Sequence, residues 1–181
     1  MKKILFPILV CAGLFVTACE TTSSRPYSSS TKNIIAFKKA VPAGQKININ
    51  TFTAADGVNI NPTCRALGAL EVSPGKDPID FIQEALREEI FAAGVYDEAG
   101  TTIEGKLTSL VADSIGTGSW TIGLNLSSAN NPAGINSETV YEFKSSYSAI
   151  RACQNVVDAF TPAVQDLISK VVADPNFDSL F

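Results

Sequence analysis

Trp120, Ile122, Leu124 and Leu126 alternate with Thr121, Gly123, Asn125 and Ser127. That two-residue period commits the segment to a strand with one apolar and one polar side. Its neighbours share the pattern. Upstream, Ile103, Leu107 and Val111 line one face of a strand, with Gly105 and Ser109 on the same side, and Gly116-Thr117-Gly118 supplies the turn. Downstream, Asn130 to Gly134 forms a loop, and Thr139 to Tyr147 reads as a third strand in which Tyr141, Phe143 and Tyr147 share a face. One-sided strands joined by short turns predict a largely antiparallel sheet covered on one face only.

The cover is supplied by two helices. Asp77-Pro78-Ile79-Asp80 is a start signal: Asp77 can cap free amides, Pro78 suits the first helical position, and Asp80 adds negative charge to the positive end. Ile79, Ile82, Leu86, Ile90 and Ala93 then fall on one face, with Gln83, Glu84, Arg87 and Glu88 opposite. Gly94 is placed to end this helix, with Val95 folding back on Ile90. A second helix, capped by Ser148, runs to about Ala173 and stops at Asp174-Pro175. Ile150, Cys153, Val157, Phe160, Val164, Leu167 and Val171 form its stripe. Pro162 either kinks it or starts a new helix capped by Thr161, and the unbroken phase of the stripe favours a kink.

Ahead of these elements, Lys46 to Phe52 alternates like a half-buried strand. After the Asp56-Gly57 turn, Val58 to Asn61 is either its hairpin partner or an irregular excursion. Pro62 to Lys76 reads as a loop containing Cys64. The expected architecture is α+β: a two-layer sandwich with a mainly antiparallel four-stranded sheet, order β-α-β-β-β-α, and two helices on one face. It forms a single domain over residues 39–181, a length that suits one hydrophobic core.

The N-terminus reads differently. Lys2 and Lys3 precede an apolar run, Ile4 to Val16, broken by Pro7 and Gly13 and too short to span a bilayer. It ends on small residues and a cysteine, Val16-Thr17-Ala18-Cys19, which resembles the lipobox of bacterial lipoproteins. The resemblance implies that residues 1–18 are a signal peptide and that Cys19 is acylated, as with palmitate, to become the first mature residue. Two other readings are an ordinary secretory signal leaving Cys19 a plain thiol, and modification of Cys11. Glu20 stands where an aspartate tends to retain such proteins in the inner membrane, which implies the outer membrane, facing the periplasm. Each acyl CH₂ contributes about 0.8 kcal/mol, so several chains on one cysteine anchor it durably. Residues 19–38, rich in Ser and Thr, are expected to be the anchor and a flexible tether reaching roughly 20–25 Å.

Lipobox, polar tether and element order together are similar to small outer-membrane lipoproteins built as a four-stranded sheet with two helices on one face. The lipopolysaccharide-assembly lipoprotein, auxiliary lipoproteins of ABC-type transport and the N-terminal domain of the Tol-system protein TolB have this plan. The resemblance covers about residues 45–173 and carries no functional residue with it.

Chemistry is sparse. The chain has no histidine, hence no Ser-His or Cys-His pair and no imidazole ligand, and no cofactor or metal is expected. Gly116-x-Gly118 lacks the helix a phosphate cradle needs, and Glu88-Glu89 and Asp97-Glu98 read as solvated pairs. A net charge of −4 disfavours nucleic acid. It equally disfavours an electrostatic hold on anionic lipid. Once Cys19 is acylated, Cys64 and Cys153 are the thiols left in an oxidising compartment, and a bridge between them is expected, against the alternative of two separately buried thiols. The expected function is non-enzymatic: a binding or assembly module of an envelope machine for secretion, lipid transport or wall synthesis. A lipid or small-ligand carrier is the alternative, and a hydrolase without histidine the third. Expected contact surfaces are the polar sheet face at Thr121, Gly123, Asn125 and Ser127, and a sheet edge at Asn48 and Asn50. That edge can take a strand from a protein partner or close a homo-oligomer.

Overall fold

A computed structural model describes residues 26–181. The signal segment, Cys19 and the first part of the tether lie outside the described residues. The elements are α1 (Thr31–Ala40), β1 (Ile47–Ile49), β2 (Thr53–Ala54), α2 (Pro78–Ala92), β3 (Thr101–Asp113), β4 (Gly118–Ser127), β5 (Ile135–Phe143) and α3 (Ala149–Ala173), closed by a 3₁₀ turn at Phe177–Leu180. The fold is α+β, with an open mixed sheet and helices on one side of it.

The sheet runs β1-β3-β4-β5, with β2 also on β3. β3, β4 and β5 pair antiparallel, as their one-sided alternation requires. β1 and β2 pair parallel to β3 because α2 lies between them in sequence and carries the chain back to its starting end. Val58 to Asn61 forms no strand: the turn at Gly57 (φ 82°) leads into irregular chain, so the excursion and not the hairpin is what forms.

A register shift between Leu107 and Ser109 alters β3. The extra residue, Thr108, reverses the alternation beyond it, so Leu110 enters the core and Val111, expected inside, is 55% exposed. Two other apolar assignments also fail. β5 ends at Phe143, leaving Tyr147 fully exposed in the following loop, and Ile150 in the first turn of α3 is 53% exposed because the core begins at Ala152.

α2 starts as its sequence signals: the Asp77 side chain accepts from the Asp80 amide at 2.9 Å and Pro78 opens the helix. Gly94 (φ 74°) ends it, and the Val95 amide returns to Ile90 O. α3 is one helix from Ala149 to Ala173 with Pro162 inside it, and Ser148 stands at the cap without a side-chain bond. Its stripe meets β4 across the core. The Trp120 indole packs on Phe160 at 4.8 Å and donates to Val156 O at 2.8 Å. Ile122, Leu124, Leu126, Val164 and Leu167 are buried around them, each stabilising by roughly 1.5–3 kcal/mol. Among the described residues the space between sheet and helices is thus filled.

α1 was not foreseen. Residues 31–38, assigned to the tether, form a helix that lies against α2 and α3. Asn33 and Phe37, one turn apart, point inward, and Phe37 meets Phe177 at 5.9 Å. The cover is therefore three helices and not two.

Candidate functional site

Thr121, Gly123, Asn125 and Ser127 of β4 stand at the alternate positions that face away from the helices, but these positions are not equally open. The bulge brings Thr108 and Ser109 over Gly123, where an added Cβ would stand 2.5 Å from Thr108 Oγ1. Gly123 is buried as a result. Asn125 is tied to the following turn, donating to Ala133 O at 3.2 Å and to Asn136 Oδ1 at 3.0 Å. Thr121 and Ser127 are half-exposed. Thr121 sits in register between Val111 and Val140, each 55% exposed, making a short apolar strip across the face. Around the strip stand Glu104, Asp113, Glu138 and Glu142 with Lys106, so the face is acidic.

The two edges differ. β1 is an edge, as expected for Asn48 and Asn50, but it is not an unpaired one. Ile47 donates to Val95 O at 2.9 Å and accepts from the Asp97 amide at 3.0 Å. The Arg87 guanidinium donates to Ile49 O at 3.2 Å, and the Phe52 amide donates to Gln83 Oε1 at 2.8 Å. Asn50 Oδ1 is held by the Thr51 amide. α2 and the chain leaving it therefore satisfy the groups an incoming strand would need. At the other edge, β5 pairs over nine residues with β4 alone among the described residues. Lys170 of α3 reaches Glu138 O at 3.2 Å near its middle.

Cys64 and Cys153 form a disulfide, Cα–Cα 5.7 Å, across 89 residues. Beside it stands Arg65, which takes a positive φ (50°). Its guanidinium donates to Ser114 Oγ (3.1 Å), Ser114 O (2.7 Å), Ser146 O (3.0 Å) and Tyr147 O (3.3 Å), joining the β3–β4 turn to the loop before α3. No sequence signal marks this hub beyond its position next to Cys64.

Glu89 corrects the solvated reading of Glu88-Glu89: its side chain is fully buried. It stands three residues after Leu86 and seven after Ile82, on the apolar face of α2, a phase visible in the sequence. Oε1 accepts from the Tyr27 hydroxyl and, at 3.0 Å, from the Ser30 amide. Among the described residues, buried Oε2 has no hydrogen-bond partner. Burial pushes the Glu89 pKa up, partly offset by the bonds from Tyr27 and Ser30 and by the nearby Asn33 amide. Burial, together with the bond to Glu89 and its charge, raises Tyr27 as well. Asn33 Nδ2 donates to Gln165 O at 2.8 Å, and Gln165 Nε2 to Ser28 O at 2.6 Å. Residues 27–33, expected in the tether, are thus fixed to α2 and α3.

Among the described residues no group of three or more His, Cys, Asp or Glu could hold a metal ion, and no helix is long and apolar enough to cross a membrane. No family model matches the chain. No curated protein matches it either. Solved structures do. The chain is similar to protein XCC0632 from Xanthomonas campestris, of the family DUF330, with a TM-score of 0.48 and 15% identity over 77% of this chain and 93% of that one. It is also similar to an uncharacterised protein, with a TM-score of 0.44 and 10% identity over 72% of this chain and 91% of that one.

Proposed function

We propose that this chain is an acylated lipoprotein of the outer membrane, anchored at Cys19, whose periplasmic domain is a non-catalytic binding or assembly module of an envelope machine. The observation that carries the binding reading is the asymmetry of the sheet. Its helical side and β1 edge are occupied, whereas the acidic face with the Val111–Thr121–Val140 strip adjoins the β5 edge, which has no second strand among the described residues. Apolar surface beside unpaired backbone is what strand-adding partners use. The filled space between β4 and α3 favours surface contact over a carrier that holds its ligand between the layers.

Photo-crosslinking in cells tests this reading. Probes at Thr121 and Val140 are expected to capture an envelope partner, and a probe at Asn48 to capture nothing, because α2 seals that edge. Capture at Asn48 alone overturns the assignment. The β5 edge also favours a homo-oligomer, since a strand meeting its own copy across a two-fold axis pairs antiparallel. Light scattering on residues 20–181, which include every described residue, separates a monomer from such an assembly. Fatty-acid labelling lost in Cys19→Ala checks the anchor, and persistent labelling rejects it.

A further inference from the structure

We propose that the solvent face of α1 docks on anionic phospholipid headgroups and so fixes how the domain sits on the membrane. The net charge of −4 conceals a division of the chain. Between Glu20 and Asp56 there is no acidic residue, but there are five basic ones: Arg25, Lys32, Lys38, Lys39 and Lys46. From Asp56 onward, seven basic residues stand against seventeen acidic ones. The expectation that an acidic chain shuns anionic lipid holds for the second part only.

The helix concentrates this charge. α1 turns Asn33 and Phe37 inward, and the helical period places Lys32, Ile35, Lys38 and Lys39 on the opposite side, all exposed. Helix stability does not account for the set. Lys38 and Lys39 in the last turn suit the macrodipole, but Lys32 in the first turn opposes it. Internal pairing does not account for it either: the ion pairs among the described residues are Lys76–Glu84 and Lys170–Asp166. Lys46, by contrast, is spent on Gly94 O.

Position supplies the partner. Seven peptide units separate Cys19 from Pro26, a contour of at most roughly 25 Å. The residues that follow are pinned through Glu89 and Gln165, so α1 is the first regular element among the described residues and lies close in sequence to Cys19. A lysine face centred on one exposed aliphatic residue, Ile35 at 48%, is the pattern of a helix resting at headgroup level. The acidic remainder is repelled by the same surface, which orients the domain with α1 toward it. The nearness of a membrane rests on the lipid-anchor reading; the test does not.

Vesicle flotation of unacylated residues 20–181 reads the binding directly. Vesicles mixing phosphatidylglycerol with phosphatidylcholine are expected to carry the protein at low ionic strength, and vesicles of phosphatidylcholine alone are not. Each lysine near an anionic surface strengthens binding roughly fivefold, so Lys32→Gln/Lys38→Gln/Lys39→Gln should weaken it about a hundredfold. Lys106→Gln/Lys144→Gln, distant in the fold, should leave binding unchanged. Circular dichroism confirms that each variant is folded. Absence of binding, equal binding to neutral vesicles, or a triple variant that floats like the parent each overturns the inference. Labelled Cys19 without vesicle binding rejects the α1 surface alone, and lysine-dependent binding with unlabelled Cys19 rejects the anchor alone.

Discussion

Two stretches with little regular structure lie against the helices, and they are held by opposite means. Residues 62–76 are stapled by the Cys64–Cys153 bond, with Arg65 adding a fan of hydrogen bonds to Ser114, Ser146 and Tyr147. Residues 27–33 have no covalent tie; they close over one buried carboxylate, Glu89, and the Asn33 and Gln165 amides. The first restraint acts on the unfolded chain as much as on the folded one and ignores pH. The second exists only in the folded state and pays for a buried acid. The loop is secured at one covalent point, whereas the N-terminal segment is held by bonds that can open.

Breaking the staple should have the larger effect. Cys64→Ser/Cys153→Ser removes a cross-link over 89 residues, which chain entropy values at about 4–5 kcal/mol before strain. Urea denaturation of the oxidised parent against the double variant measures it. A loss below about 1 kcal/mol would mean that the Arg65 fan alone holds the loop. Next comes Glu89→Ala, which strands the Tyr27 hydroxyl and the Ser30 amide in buried surroundings and leaves a cavity. We expect about 2–3 kcal/mol, with new proteolytic cuts confined to residues 26–30. Cuts in residues 62–76 instead would show that the two restraints are one. Arg65→Ala should cost about 1–2 kcal/mol, because several of its bonds are to half-exposed carbonyls and water can replace it.

What the sequence disclosed follows from how local each cause is. The alternation of β4, the Asp77-Pro78 start of α2, the stripe of α3 from Cys153 onward and the Cys64–Cys153 pair depend on short-range period or on elimination. All four stand in the structure. The bulge at Thr108 is one residue long and reverses a face without any composition signal. The parallel seat of β1 on β3 depends on partners over fifty residues apart. α1 was lost because its buried side amounts to Asn33 and Phe37, too few to stand out behind a Ser-rich lead. Glu89 is legible by helical phase with Ile82 and Leu86, but beside Glu88 the two carboxylates read as one solvated pair. Asn48 and Asn50 mark a true edge; its closure by Arg87 and Gln83 is a tertiary fact no strand pattern contains.

The smallest expected effect is also the one that separates the two restraints most cleanly, because only one of them titrates. Burial raises the folded pKa of Glu89 above its unfolded value. The protonated acid therefore favours the folded chain. The stability linked to this group is fully present below the ordinary carboxylate range and is lost as pH rises through the raised folded value. Glu89→Gln keeps an oxygen for Tyr27 and the Ser30 amide and cannot ionise. Its stability relative to the parent should therefore be best near neutral pH, and that relative advantage should shrink steadily as pH falls toward 4.5. The raised pKa of Glu88, which arises from burial and from Glu84, has the same sign, but it is present in both proteins and largely cancels in the difference. Urea midpoints of parent and Glu89→Gln at several pH values measure the gap, and the reduced Cys64/Cys153 protein repeated beside them should show the same slope. A gap independent of pH would mean that Glu89 has the same pKa in the folded and unfolded chain, and the N-terminal restraint would then be as indifferent to pH as the disulfide.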